Sequence, residues 1–374
     1  MSFSEYFTNE SRKQHINLST AAWNTVEDDI CSFYSPEDHS RNYSGFFNRI
    51  FRNWIGTSPA NLSARLEDKK KEYRLLMKEK PFINMKETER EDLFLRLCDM
   101  YLKEISKELL LFPKGEGRKI HLNKKTCEYL LHFSDDSLEC RIYRKPGIYL
   151  KAVFETYCRL PYIEREKIFF SDLFETIRNA LNLHLPMQIR TTGGKTFSFL
   201  PFGTGTDANS NYHYLIGLSR PISSSGTDIQ EPGEYRCASF RISRIESIRN
   251  EYGKKAKLTP HQRSFIEKEI AEKGIPFLLN DTAEIRVRLS EEGVKKYNTL
   301  LHLRPKYTSR TDDNIYTFHI TPMQAEFYFF KFGSDAEILQ PTGLRETFRR
   351  GYEKAFHRYA GDREESAGPL KIEV

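Results

Sequence analysis

The stretch Lys13-Gln14-His15-Ile16-Asn17-Leu18-Ser19 alternates polar and apolar residues, the period-2 signature of a strand with one buried face. Behind it, Ala21 to Ile30 opens a helical pattern in which Trp23, Val26, Ile30 and Phe33 share one side, and Ser19 or Thr20 offers a capping hydroxyl. Ser35-Pro36-Glu37-Asp38-His39-Ser40 has the composition of a loop. A second helix is predicted from Ser44, carrying Phe46, Phe47, Ile50, Phe51, Trp54 and Ile55. A fainter copy follows. Lys119-Ile120-His121-Leu122-Asn123 repeats the alternation of His15-Ile16-Asn17-Leu18-Ser19. A helix through Tyr129, Leu130 and Leu131, a loop at Ser134-Asp135-Asp136 and another helix come next. With one gap, Tyr149, Leu150, Val153, Phe154 and Tyr157 fall on Phe46, Phe47, Ile50, Phe51 and Trp54. Helices predicted over 61–80 and 87–111 bridge the two copies.

One short strand followed by two helices, with Tyr43-Ser44-Gly45-Phe46-Phe47-Asn48-Arg49-Ile50 opening the second, resembles the ribbon-helix-helix family over residues 11–56. An amphipathic helical pair with an incidental strand is the competing reading. A single such unit cannot bury its strand or its helix face and normally dimerises. Two copies in one chain, 13–56 and 118–158, can satisfy each other, unless the apolar spacing is coincidental. Pairing of 13–18 with 118–123 then turns Ile16, Leu18, Ile120 and Leu122 inward. Lys13, His15, Asn17, Lys119, His121 and Asn123 turn outward, and cysteines at Asn17 and His121 are expected to crosslink within one chain. Such a ribbon has the width of a B-DNA major groove, whereas the A-form RNA groove is too narrow for it. Lys13, His15 and Asn17 are therefore candidate nucleic-acid contacts.

The 374 residues suit two or three domains. Apolar residues are 39%, somewhat few, but 27 Phe and 20 Tyr are too many for a disordered chain. No apolar run approaches the ~18 residues of a membrane span, and no basic-then-apolar start marks a secretory signal. A cytoplasmic protein without membrane contact is expected. The six cysteines are scattered singly, without metal-ligand spacing, so neither metal nor cofactor is expected. Net charge is +6 and is spread evenly, so a nucleic-acid site must come from local arrangement. Gly194-Lys195-Thr196 looks like the end of a phosphate loop, but Ile189 stands where that loop needs glycine. The flanks read instead as a hairpin, Met187–Arg190 and Thr196–Phe199 around Thr192-Gly193-Gly194. No nucleophile elbow, metalloprotease motif or His/Cys dyad stands out. The expectation is a non-enzyme.

From Tyr162 the pattern changes. Ile163 to Phe170 leads into an amphipathic helix with Leu173, Ile177, Ala180 and Leu181, and close-set strand candidates follow. These are the hairpin, Tyr212–Arg220, Tyr235–Ile242 and Arg244–Ile248, with a long Ser/Pro/Gly loop from Pro221 to Gly233. Such strands suggest a small barrel that removes its edges by closure. His213-Tyr214-Leu215, ahead of an Arg-rich strand ending Phe240-Arg241-Ile242-Ser243-Arg244-Ile245, resembles the WYL domain, and Pro201 also fits that pattern. The resemblance covers about 160–250 and implies an Sm- or SH3-like barrel. His213 stands where that family has its tryptophan.

Farther on, Phe332-Gly333-Ser334-Asp335-Ala336-Glu337-Ile338-Leu339-Gln340-Pro341 and the helix from Leu344 to Tyr359 resemble the extension that follows WYL domains. Strands at Ala283–Leu289, Ile315–Ile320 and Glu326–Lys331, with helices at 290–300 and 342–359, predict an α+β sandwich. Ala325 to Phe332 would carry aromatics on both faces of a strand, more than one solvated face tolerates. Cover by a second copy is expected, making 255–374 a dimerisation domain, although the 342–359 helix can supply that cover instead. The expected whole is an α+β multidomain protein: 1–160 ribbon-helix-helix-like, 161–250 WYL barrel, 255–374 α+β. That combination resembles the WYL accessory proteins of type VI-D CRISPR systems, which implies a dimeric binder of single-stranded RNA that enhances an RNA-guided CRISPR ribonuclease.

Arg236, Arg241, Arg244 and Arg249 lie in one stretch with a single acid, Glu246. Arg190, Lys195 and Arg220 sit at neighbouring strand ends, and Tyr212, His213, Tyr214, Tyr235 and Phe240 interleave with them. Cations for phosphates beside aromatic surfaces for unstacked bases are what single-stranded nucleic acid requires. Tyr214 and Phe240 read mostly as core. Arg236 and Arg241 have opposite parity, so one regular strand cannot present both. Three functions remain open: the RNA-binding accessory protein, a transcription regulator reading DNA with the ribbon, and a sensor binding a small ligand in the barrel.

Overall fold

The computed structural model describes residues 3, 12–34, 42–134, 136–207, 212–222, 234–255 and 257–365, with side chains through 360. The loop expected at 35–40 and most of that at 221–233 lie outside them. The chain divides into two compact units, 1–175 and 176–374, and no described helix is long and apolar enough to cross a membrane.

The first unit runs β1 (Lys13–Leu18), α1 (Thr20–Phe33), α2 (Tyr43–Trp54), α3 (Leu62–Leu76), α4 (Glu87–Leu110), β2 (Glu116–His121), α5 (Lys124–Leu131), α6 (Leu138–Tyr143), α7 (Pro146–Cys158) and α8 (Tyr162–Phe169). β1 and β2 pair antiparallel, with His15 opposite Lys119, the residue that repeats it. The register is symmetric about that pair, so the strand that precedes α1 and α2 pairs within the chain with the strand that precedes α5, α6 and α7. Ile16, Leu18, Ile120 and Leu122 are at most 2% exposed, as the alternation requires.

The junctions repeat too. Ser19 caps α1 and its equivalent Asn123 caps α5. Each is held by a helix that follows the other strand: Ser19 N–H and hydroxyl donate to Glu155 of α7, and Asn123 N–H donates to Asn48 of α2. Glu155 and Asn48 are buried, a position polar groups tolerate only with such partners. Between α2 and α7, Phe47 meets Phe154 at 4.2 Å and Trp54 meets Tyr157 at 5.9 Å. Each such side chain, fully buried, contributes about 1.5–3 kcal/mol.

One detail of the sequence expectation fails. Asn17 lies opposite Gly117, and His121 opposite Lys13, so Asn17 and His121 are not cross-strand neighbours. The pair to test is Lys13→Cys with His121→Cys. Opposed Cα atoms in an antiparallel ladder are about 4.5–5.5 Å apart, within disulfide range. A crosslink within one chain at limiting dilution is expected, and crosslinks only between chains would contradict the internal pairing.

The boundary expected at 160 also shifts. Arg165 of α8 ion-pairs with buried Asp29 of α1 at 2.7 Å, and Asn53 of α2 donates to the Ile168 carbonyl. Residues 162–169 thus pack in the first unit.

The helix α9 (Ser171–Leu183) begins in the first unit and continues into the second, where β3 (Met187–Thr191), β4 (Thr196–Thr206), β5 (His213–Ile222), β6 (Arg236–Arg241) and β7 (Ile245–Asn250) follow. Their ladder is antiparallel, in the order β6-β5-β4-β3-β7, so among the described residues no hydrogen-bonded ladder closes the expected barrel and β6 and β7 are edges. The sheet is nonetheless curled. Five flat strands would hold the edges about 19 Å apart, yet only the turn Ile242–Arg244 joins β6 to β7. A register shift between Pro201 and Gly203 bends β4. At Gly217 a Cβ would stand 2.2 Å from the Leu200 carbonyl oxygen, so the close approach of β5 to β4 requires glycine.

α10 (Pro260–Lys273) then covers part of this sheet, with Leu258, Ile266 and Leu278 against Tyr214, Leu218 and Cys237. Burial pushes the Cys237 thiol up to about 11, a core cysteine. The rest is β8 (Ala283–Leu289), α11 (Glu291–Thr299), β9 (Tyr307–Arg310), β10 (Ile315–Ile320), α12 (Pro322–Phe329), β11 (Ala336–Gln340) and α13 (Thr342–Glu365). The sheet order is β11-β8-β10-β9.

Here a predicted strand is wrong. Residues 326–329 belong to α12 and 330–335 to a 3-10 turn. Thr321 caps α12 by accepting from Gln324 N–H, with Pro322 at its first position. Ala325, Tyr328, Phe329 and Phe332 are buried at helical spacing, while Phe327 is 57% exposed. The two-faced strand that argued for a partner does not exist.

Candidate nucleic-acid interface

Directly opposed residues on neighbouring strands point to the same face. In this sheet Arg249 lies opposite Gln188, Gln188 opposite Ser198, and Ser198 opposite Arg220. Tyr235, just before β6, continues the row: its hydroxyl is 2.8 Å from Ser198 Oγ, and the Arg220 guanidinium lies 5.1 Å from its ring centre. The next row on this face is Ser247, Arg190, Thr196 and Ile222. None of these nine side chains is buried, whereas Met187, Ile189 and Phe199 on the opposite face are fully buried. Alternation therefore yields a solvated polar face with arginines on three strands. Arg249 to Arg220 spans three strand spacings, at most about 14 Å.

The expected site residues separate into groups. Arg190, Arg220 and Arg249 share the face. Arg190 is ion-paired to Glu246 at 3.0 Å. Lys195 is exposed on the hairpin turn, and Arg244 is exposed beside it, its carbonyl accepting from Thr192 N–H. Tyr212, His213 and Arg241 lie at the other end of β5. There the Arg241 guanidinium sits 3.2 Å from the Tyr212 ring centre, and His213 pairs with Thr206. Half-buried Arg241 thus works as a packed cation–π partner. Arg236 departs altogether: it lies opposite Ser219, on the other face, 3.8 Å from Asp281. Tyr214 and Phe240 are core, as expected.

On the ribbon of the first unit, Lys13 and His15 are exposed and Asn17 is half-buried, its Oδ1 accepting from Gly115 N–H. Lys119 and His121 stand exposed on the partner strand. Sequence reasoning missed Gln188 and Ser198. Their signal was the period-2 spacing Gln188/Arg190 and Thr196/Ser198, on strands already predicted.

No family profile and no curated protein matches this chain. Among solved structures it is similar to one described as a CRISPR Cas-related protein, with a TM-score of 0.69 and 21% identity over 96% of both chains. The fold described above is therefore that protein's fold along nearly its whole length. A proteasome accessory factor B/C of Arthrobacter aurescens overlaps at a TM-score of 0.29 and 14% identity, over 65% of this chain and 37% of the other.

Proposed function

We propose that this chain is a non-catalytic, single-stranded-RNA-binding accessory protein that enhances an RNA-guided CRISPR ribonuclease of type VI-D. In this reading 13–158 is an internal ribbon-helix-helix pair and the curled sheet is a WYL barrel. The observation that carries it is the solvated face on which Arg190, Arg220 and Arg249 stand among Gln188, Ser198 and Tyr235. Guanidinium groups there match phosphates, and polar and aromatic side chains match splayed bases. The CRISPR context draws on the fold shared with the CRISPR Cas-related protein and on the motifs around His213 and Arg241. Fluorescence anisotropy with unstructured RNA and duplex DNA at matched salt tests the nucleic-acid part, since affinities compare only at fixed salt. Tighter RNA binding is expected.

Tighter duplex binding would favour a second reading, transcription regulation. The symmetric register about His15 and Lys119 favours it, because a two-fold ribbon matches a palindromic groove.

A homodimer through 255–374 belongs to the proposal as well. Its support is now Met323, Phe327, Phe356 and Tyr359, all more than half exposed. Truncation at Gly253 would strip α10 from Leu218 and Cys237, so substitution is the cleaner test. Phe327→Arg with Phe356→Arg is expected to give a folded monomer by light scattering. A folded dimer would remove this surface from assembly.

A further inference from the structure

The cationic face continues past its edge strand. Beyond β7 the chain turns at Tyr252-Gly253, where Gly253 holds φ at +90°, a region glycine enters without strain. The turn leaves Tyr252 72% exposed at a cleft of about 630 Å³ that Gln188, Arg249, Asn250 and Lys254 also line. Among the described residues that line it, Glu251 is the one acid, and it is engaged. Lys254 Nζ lies 2.9 Å from one of its oxygens and Gln188 Nε2 3.0 Å from the other. The hydrogen bond from Lys254 holds this carboxyl below the usual range. Asn250 is 7% exposed. Its Nδ2 donates to the Thr176 carbonyl, while its Oδ1 accepts no hydrogen bond among the described residues. Arg249 forms no ion pair among them.

We propose that this cleft is a nucleotide subsite, in which Tyr252 stacks one unpaired base and Arg249 and Lys254 hold the adjoining phosphates. The inference rests on the single-stranded-RNA reading and adds where one base is gripped. A tyrosine face accepts any base, since every base has a π surface, so the subsite adds affinity with little sequence preference. Gln188, fixed by Glu251, joins the subsite to the row Gln188–Ser198–Arg220.

The test measures binding of a uridine oligomer of about 12 nucleotides to Tyr252→Ala, Tyr252→Phe and the parent, across a salt series. Tyr252→Ala is expected to weaken binding by about fivefold or more, the loss of one stacked base. The salt slope should stay unchanged, because no phosphate contact is lost. Tyr252→Phe should bind like the parent. An abasic ribose-phosphate oligomer should not distinguish Tyr252→Ala from the parent. Tyr252 is 72% exposed, so thermal melting of Tyr252→Ala should match the parent within about 2 °C. Parental affinity in Tyr252→Ala, while Arg220→Glu still weakens binding, would overturn the subsite and leave the RNA reading intact. A parent that binds no single-stranded RNA would overturn both.

Discussion

Replacing Arg220 and Arg249 together with glutamate is expected to lower affinity for single-stranded RNA by about tenfold or more. The slope of log affinity against log salt should become shallower by about 1.4, since each lost phosphate contact on a single strand removes about 0.7. Both side chains leave the same solvated face and neither is in the core, so the variant should fold. Arg236→Glu is the control: it carries the same charge change on the other face and should leave affinity within about twofold, as loss of no phosphate contact implies. Of Arg241 and Arg244, exposed Arg244 should carry the RNA effect, while Arg241→Glu should act mainly by loosening Tyr212. Unchanged affinity in the folded double variant would move RNA off this face.

Asp29→Asn should have the largest effect on stability. Asp29 is 1% exposed. It accepts from Arg165 Nε at 2.7 Å, from its second terminal nitrogen at 3.0 Å, and from the Tyr157 hydroxyl at 2.9 Å. Removing one partner of a buried ion pair leaves the other charge uncompensated, at a cost of about 3–5 kcal/mol. For a unit of this size that is a fall of roughly 10 °C in melting temperature. The loss should appear in the first unit's transition, with RNA affinity at low temperature retained. A shift of less than about 2 °C would show that the pair contributes little.

How far the sequence was legible varies by element. The ribbon was readable because alternation is a local signal and both strands carry it. Its symmetry followed from equating Lys119 with His15, which the register repeats. The exact partner of His121 was not readable, since register depends on how two distant segments meet. The run Ala325 to Phe332 misled because a dense aromatic stretch fits both periods, 2 and 3.6. The deciding signal lay upstream, in the cap Thr321 and the proline after it. For the site, the arginines were visible but their grouping was not. Arg236 is close in sequence to Arg241, Arg244 and Arg249, yet cross-strand pairing sends it to the opposite face. Arg220 and Arg249, distant in sequence, come to one row through Gln188 and Ser198. Tyr252 carried no sequence signal beyond its type, and only its exposure beside the cleft singles it out.

The central claim is that single-stranded RNA lies on the curled sheet of the second unit. Photo-crosslinking with 4-thiouridine-substituted RNA, followed by mass spectrometry of the adducted peptides, addresses it most directly. The account predicts adducts on peptides spanning 187–206, 213–222 and 235–254, lost when Arg220 and Arg249 are both glutamate. Adducts confined to peptides holding Lys13–Leu18 and Glu116–His121, unaffected by that double substitution, would contradict it.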